Sequence, residues 1–290
     1  MASVPTSTGG RYNRNISTAA GLIIGNEILG GKTVDTNSAV LAKWCFASGM
    51  ELKRIETIED DEDEIIEAVK RMSERYDFVV TSGGIGPTHD DITYLSIAKA
   101  FGLPLVRHEE AYQRMQNLSK QDVKFWDVDS PAKTAKLRMV TLPIDESHKL
   151  ADQVLFPRDD MWVPVSVVNG NVHILPGVPQ LFEKLLTGLS SLLAGRLVDS
   201  EGRGLCRVII STPLSESEAA EDLRNFQQEV APKGVNVGSY SRYQKNNLVT
   251  LVGRDHDYIE SIVPKAVDLF KGRQVAFEGE DDEPEQPVAM

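Results

Sequence analysis

The chain is poor in the residues that staple or metallate small proteins. Its 290 residues include only two cysteines, Cys45 and Cys206, and five histidines. The cysteines are far apart. His108, His148, His173 and His256 show no ligand spacing. A disulfide framework and a structural zinc site are therefore excluded as organising devices. Both cysteines read as small buried hydrophobes, which suits a reducing compartment. No apolar run approaches the length of a membrane span. No basic stripe is present: 31 Lys and Arg face 43 Asp and Glu, for a net charge of −12. That balance argues against a general nucleic-acid binder, which needs cations to displace counterions from phosphates. No internal repeat is visible. What is there is ordinary: 41% hydrophobic and 26% charged residues, enough for one large domain or two modest ones.

The most informative stretch is Thr81-Ser82-Gly83-Gly84-Ile85-Gly86-Pro87-Thr88-His89-Asp90-Asp91. The apolar run Phe78-Val79-Val80 leads into it, and a helical pattern, Ile92 to Phe101, follows. Strand, glycine-rich loop and helix N-terminus in that order hold phosphates in α/β proteins. Glycines let backbone N–H groups approach an anion, and the helix dipole favours its charge. Carboxylates beside a phosphate repel it unless a cation lies between. The stretch thus reads as a phosphate-plus-metal site. The competing reading is a tight turn followed by an Asp N-cap.

Along the chain, Ala19 to Ile24 reads as a buried strand, ending in the loop Gly25-Asn26-Glu27-Ile28-Leu29-Gly30-Gly31. Thr36 is placed to cap a helix carrying Val40, Leu41, Trp44 and Cys45 at helical spacing, closed by Gly49. Leu52 to Ile58 reads as a strand and Asp61 to Tyr76 as an amphipathic helix with acids in its first turn. After the Phe78 strand and the following helix, Leu103 to Val106 reads as a strand and Glu109 to Leu118 as a helix. This alternation predicts an α/β fold, a parallel or mostly parallel sheet with helices on both faces. Ligands of such sheets bind outside the carboxyl ends of the strands, where both glycine loops fall. Residues 119–158 read as mixed loop and helix. Val163 to Val168 and Val172 to Leu175 flank Asn169-Gly170, a hairpin signal. Leu175-Pro176-Gly177-Val178-Pro179 then leads into a helix, Gln180 to Leu193. The remainder gives strand, helix, strand, strand, helix, strand: Cys206–Ser211, Glu216–Val230, Val235–Tyr240, Leu248–Val252, Tyr258–Phe270 and Gln274–Phe277. That is a small α+β unit of ferredoxin-like βαββαβ order. The expected divisions are a disordered N-terminus at 1–18, a main domain at 19–195, the small domain at 205–277, and an acidic disordered tail at 278–290. Residues 1–18, with Arg11 and Arg14 and no acid, faintly resemble a transit peptide.

Three motifs carry a family resemblance. Gly25-Asn26-Glu27-Ile28-Leu29-Gly30, continued by Thr36-Asn37, resembles the opening motif of the molybdopterin-binding (MoaB/Mog-like) domain. Gly83-Gly84-Ile85-Gly86-Pro87-Thr88, followed by Asp90-Asp91-Ile92-Thr93, resembles the form found in the N-terminal half of CinA and in the N-terminal region of eukaryotic FAD synthases. Leu175-Pro176-Gly177-Val178-Pro179 is similar to that family's L-P-G-x-P. The trio occurs in order over 18–195, and 205–277 is similar to the small domain that follows in CinA-like proteins. Neither the deamidase domain of CinA nor the FMN-adenylylating domain of FAD synthases, nor an H-x-G-H motif, is found here, and Asn26 replaces the more usual Asp or Thr.

The resemblance implies metal-dependent hydrolysis of FAD or ADP-ribose-like dinucleotides, releasing AMP. It also leaves open a molybdopterin-binding or adenylylating role, or a non-catalytic nucleotide-binding relative. Asp91 and Asp90 are the expected catalytic residues and, with Glu27, the expected holders of Mg2+, Mn2+ or Co2+, with K+ as an optional companion. Gly25, Asn26, Glu27, Asn37, Ser82, Gly83, Gly84, Gly86, Thr88, Pro176 and Gly177 are the expected ligand contacts, the loop amides from Ser82 to Gly86 holding phosphates. Plainer readings exist for several: a loop-bracing carboxylate for Glu27, an N-cap for Asp90, a helix contact for Asn37, capping hydroxyls for Thr88 and Thr93. His89 reads as a ligand contact or bystander and Lys32 as a solvated cation. Trp44 reads as core, while Trp126 and Trp162 remain candidates for ring stacking. The acids Glu59 to Glu64 read as a solvated helix start. The expected partners are a small-molecule dinucleotide and further copies of the chain as a dimer or trimer, with no nucleic acid and no membrane. The cytoplasm is the expected location, with the mitochondrion as the alternative.

Overall fold

The computed structural model describes residues 11–119, 123–199 and 202–282. Its contacts separate into two compact units that divide between Gly202 and Arg203.

The first unit alternates as the hydrophobic pattern predicts. Its elements are β1 (Thr18–Ile24), α1 (Asn26–Leu29), α2 (Asn37–Ala47), β2 (Glu51–Ile58), α3 (Glu62–Arg75), β3 (Phe78–Ser82) and α4 (Thr93–Phe101). An excursion follows: β4 (Leu105–Arg107), α5 (Glu109–Leu118), α6 (Val123–Asp127), α7 (Pro131–Arg138), β5 (Thr141–Pro143), α8 (Leu150–Gln153) and β6 (Val154–Leu155). The chain then returns through β7 (Val165–Val168), β8 (Val172–Leu175) and α9 (Pro179–Leu193). The main sheet has the order β2-β1-β3-β8-β7-β6. Its pairs β2/β1, β1/β3 and β3/β8 are parallel, while β7 and β6 run antiparallel to their neighbours. β3 and β8 are buried along their whole length, as are the last six residues of β1, which is what helices on both faces require.

Several local features differ from the sequence expectation. The strand expected at 103–106 does not join the main sheet. It becomes β4, paired only with β5, because both positions beside β3 are taken, by β1 and by β8. Thr36 stands at the N-cap of α2, but its hydroxyl does not cap. The acceptor is Asp35, whose Oδ1 takes the Ser38 N–H at 3.0 Å, a charge-assisted bond that a hydroxyl does not match. The β7–β8 turn spans three residues, with Asn169 and Gly170 both at positive φ. Residues 11–18, expected to be disordered, are held. Ile16 is fully buried and bridges to Leu197, and Arg11 donates to Ser73 O at 3.0 Å. Residues 1–10 lie outside the described residues. Cys45 is buried, but Cys206 is only half-buried.

The second unit contains β9 (Cys206–Thr212), α10 (Glu216–Val230), β10 (Asn236–Tyr240), β11 (Asn247–Gly253), α11 (His256–Leu269) and β12 (Arg273–Val275). Its antiparallel sheet has the order β10-β11-β9-β12, the split βαβ arrangement. A capping box, Ser215 with Glu218, starts α10. Phe226 and Phe270 meet edge-on in its separate core, 5.9 Å between centroids. The acidic residues after Phe277 are not all free tail. Asp281 accepts from the Ser211 hydroxyl and from Asn246, and Asp282 pairs with Arg242 and, at 2.7 Å, with Lys245. The rest of that tail, 283–290, lies outside the described residues.

His173 on β8 is fully buried against Phe78, with ring centroids 4.3 Å apart. Burial, aided by the nearby Arg196 charge, pushes its pKa down to about 3. The folded state therefore holds this imidazole neutral, whereas the unfolded chain protonates it near its ordinary pKa of about 6.5. Its contribution to stability is whole above that pH and is lost as pH falls from there toward 3. Over that window the slope approaches about 1.4 kcal/mol per pH unit. We expect denaturant unfolding of the wild type to weaken between pH 7 and pH 5. The variant His173→Leu should lose a smaller increment over the same interval. Equal pH slopes for the two proteins would show that His173 does not set this dependence.

Candidate functional site

β1, β3 and β8 are neighbouring parallel strands, so the segments leaving their carboxyl ends lie side by side. Those segments are the three motifs: Gly25 onward, Gly83 onward, and Pro176-Gly177. Their contact is tight. A Cβ placed on Gly177 would lie 3.2 Å from the Gly83 Cα. Gly83, at φ +113, admits no side chain, since a Cβ there would fall 2.1 Å from Ile24 O. One side chain ties the three together. The Asn37 amide, at the start of α2, donates from Nδ2 to Ser82 Oγ and to Gly177 O, both at 2.9 Å. Asn37 is buried, and its Oδ1 has no hydrogen-bond partner. Asn37 and Ser82 thus shape the wall between motifs. They border a small recess of about 50 Å3, separate from the main cleft.

The glycine loop is braced by Asp91. Its Oδ1 accepts from Gly86 N at 2.6 Å, and its Oδ2 from Thr88 N at 2.8 Å. The Thr88 hydroxyl lies 2.5 Å from Asp91 Oδ2 and 2.6 Å from Asp90 Oδ1, and its single proton serves one of them at a time. Neither acid caps α4; Ile92 occupies that N-cap position, with no side-chain bond. Thr93 is fully buried and donates its hydroxyl to Gly83 O and its N–H to Gly84 O, both at 2.9 Å, so it fastens the turn to the helix. These bonds change the expected phosphate cradle. The Gly83 N–H goes to Leu175 O and the Gly86 N–H to Asp91, while the amides of Gly84 and Ile85 have no hydrogen-bond partner among the described residues.

Glu27, Gly83, Gly84, Gly86, Asp91, Pro176 and Gly177 line one cleft of about 440 Å3. Gly25, Asn26, Thr88 and Asp90 stand back from it. Gly25 is buried beneath the Glu27 carboxylate, which leaves no room for a Cβ there. The Asn26 backbone N–H donates to Asp60 Oδ2 at 2.8 Å, and its side chain is exposed. Asp90 is exposed; the Thr88 hydroxyl, its own N–H and the nearby His89 hold its pKa below the usual carboxylate range. His89 is almost wholly exposed, 3.9 Å from Asp90. Trp44 packs in the core and donates to Ser190 at 2.8 Å. Trp126 belongs to a small separate cluster with Ala111, Met115 and Val140. Trp162 lines the cleft.

Sequence reasoning missed two groups. Asp60 sits in the acid run taken as solvated, yet it bonds to the first motif loop. Burial raises its pKa, and the charges of Glu27, Asp90 and Asp91 raise it further. The acid run gave no signal for this, because only the β2 to α3 turn aims Asp60 at Asn26. The second group is the apolar half of the cleft: Leu118, Met139, Met161, Val163, Val178 and Leu181, which join Trp162, already a stacking candidate. These come from four separated segments and share no local pattern.

Four carboxylates therefore surround the loop, but among the described residues no three acidic, His or Cys side chains converge as a ready metal cage. The donor set suits a cation shared with ligand phosphates, which Mg2+ takes with one or two carboxylates and its own waters. Glu27 and Asp90 are the carboxylates not committed to bracing backbone.

The fold and these loops define an α/β domain with a cleft at the carboxyl ends of its parallel strands. The chain belongs to the family described as "Probable molybdopterin binding domain", whose model matches residues 20–209. It is 32% identical over 282 residues to a "Probable FAD synthase" of Caenorhabditis elegans, covering 90% of this chain and 51% of that protein. The chain thus spans about half the length of the FAD synthases that it matches. A "CinA-like protein" of Anaeromyxobacter dehalogenans is 29% identical over 280 residues, covering 92% of this chain and 63% of the other. Among solved structures, that of CinA from Thermoplasma acidophilum, titled as of unknown function, matches with a TM-score of 0.51 and 32% identity. The match covers 62% of this chain and 99% of that one.

Two substitutions test the brace. Asp91→Ala removes acceptors from two amides, at a cost of about 1.5–3 kcal/mol for charge-assisted bonds. Amide exchange at Gly86 and Thr88 should accelerate by about tenfold or more, while the β3 amides stay protected. Gly83→Ala should be worse, losing about 3 kcal/mol or more in thermal or denaturant melts through clash and strain. Unchanged exchange in Asp91→Ala would contradict the bracing role.

Proposed function

We propose that this cleft hydrolyses the diphosphate of a dinucleotide such as FAD or an ADP-ribose-like molecule, releasing AMP, with a divalent cation. The observation that carries the reading is one juxtaposition: Gly84 and Ile85, whose amides have no hydrogen-bond partner among the described residues, line a cleft edged by Glu27 and rimmed by further acids. Amides bind phosphate oxygens, and acids beside them call for a cation. The similarity to proteins named FAD synthase and CinA-like supports the choice of substrate class.

In this reading water oxygen bonds to one phosphorus, the bridging P–O bond breaks, and FMN and AMP leave with their protons passing to solvent. The Gly84 and Ile85 amides hold the phosphate oxygens in place. Asp91 acts through the loop, keeping those amides aimed. Glu27 would hold the cation from the cleft edge, with Asp90 as a second carboxylate from outside the lining, and the cation would supply charge neutralisation. Whichever of the two faces the attacking water orients it and takes its proton. Asp60 adds negative potential behind Glu27. Molybdopterin binding, with or without adenylylation, is the alternative, and it uses the same cleft; the family description favours it.

The test is product analysis after incubation with FAD or ADP-ribose and Mg2+, Mn2+ or Co2+. We expect FMN and AMP from FAD, with chelator abolishing the reaction. Glu27→Gln and Asp90→Asn should lower kcat by about 100-fold or more while leaving the fold intact. Intact dinucleotides under every metal, together with tight molybdopterin binding, would reverse the assignment.

A further inference from the structure

The cleft has two chemically distinct halves, and only one is accounted for by phosphate chemistry. The other is a wall built from the end of α5, the residue after α7, the segment entering β7, and the start of α9. Met161 and Val163 are buried, Trp162 and Met139 are half-buried, and Leu118 and Val178 stand at the rim, 45% and 52% exposed. Polar groups are scarce there. Asp160 is the acid at this edge, and Arg158 already engages both its oxygens, at 2.7 and 3.0 Å.

We propose that this half of the cleft receives the methylated benzenoid edge of a flavin ring, so that the flavin side of the dinucleotide, and not the adenine side, lies inside. The inference rests on the reading of the cleft as a dinucleotide site. The argument is one of polar satisfaction. Adenine and pterin carry donors and acceptors around their hydrogen-bonding edges, and burying these against Met, Val and Leu leaves them unpaired. The dimethylbenzenoid edge of an isoalloxazine has neither donors nor acceptors. It can fill an apolar wall and leave the polar pyrimidine end toward solvent. Thioether and indole groups suit a flat π-system, and Met adapts to its outline. The placement also puts the flavin's phosphate toward the Gly84 and Ile85 amides, which border the same cleft.

Riboflavin and adenosine, neither carrying phosphate, separate this proposal from the hydrolase reading. Titrating riboflavin into the intact protein should quench its fluorescence by stacking on Trp162, and excess adenosine should not displace it. Leu118→Glu and Val178→Glu alter exposed rim positions that the fold does not need buried, and each should weaken riboflavin binding by about tenfold. Leu192→Glu, on an exposed face of α9 outside the cleft, serves as the control and should leave binding unchanged. Failure of riboflavin to bind, or its displacement by adenosine at equal concentration, overturns the ring assignment whatever the protein does to dinucleotides. Riboflavin binding unaffected by both rim variants overturns it as well. Riboflavin binding without any dinucleotide hydrolysis sustains the ring assignment and removes the hydrolase reading alone.

Discussion

Asn37 is the side chain on which the site depends. Its buried amide reaches Ser82 at the end of β3 and Gly177 beyond β8, so one group fixes the spacing of two loops while standing at the start of the helix that follows the third. The bond to Ser82 is buried and that to Gly177 partly so, and removing a buried partner leaves polar groups unsatisfied at a cost of about 1–3 kcal/mol. The close approach of Gly83 and Gly177 depends on the same spacing, and so does the opening of the cleft between them. With these loops held, Gly84 and Ile85 line the cleft in a fixed conformation, so a ligand there would not have to order them.

Negative charge is the second organising element. Asp91 spends its carboxylate on backbone amides. Asp60 spends one oxygen on Asn26, and Asp90 shares a hydroxyl with Asp91. Such acids stabilise a loop locally and make its surroundings hostile to an anion. A phosphate ligand therefore brings its own countercharge or does not bind. The proposed reading accounts for a glycine loop that carries so many carboxylates yet, among the described residues, no ready-made cage. In the proposed reading the cation would belong to the complex of protein and ligand, with the protein contributing only part of its coordination.

Much of the fold was legible because burial on both faces writes simple patterns. Phe78-Val79-Val80 and Ala19 to Ile24 are continuous apolar runs, as central parallel strands must be, and the glycine loops mark their carboxyl ends. The strand near Leu105 misled, since local alternation cannot reveal that β8, more than 60 residues later, takes the place beside β3. The acids after Phe277 misled in the same way: composition reads them as tail, but Ser211, Arg242 and Lys245 are partners only once β9 and the β10–β11 turn exist. Asp60 was hidden because a first-turn acid looks the same whether it faces solvent or a neighbouring loop.

The sequence by itself determined the alternation of elements, the ferredoxin-like order of the second unit, and the three motifs that mark the family. Those depend on local propensity and on side-chain types, which are written in order along the chain. Tertiary structure alone decided what each motif residue does: Asp91 as brace, Asn37 as tie, Gly84 and Ile85 as the amides left over. It also decided that Leu118, Met139, Trp162 and Leu181 form a single wall. The reason is that a hydrogen bond or an apolar contact is a property of atoms in space, and these atoms meet only after strands distant in sequence have paired.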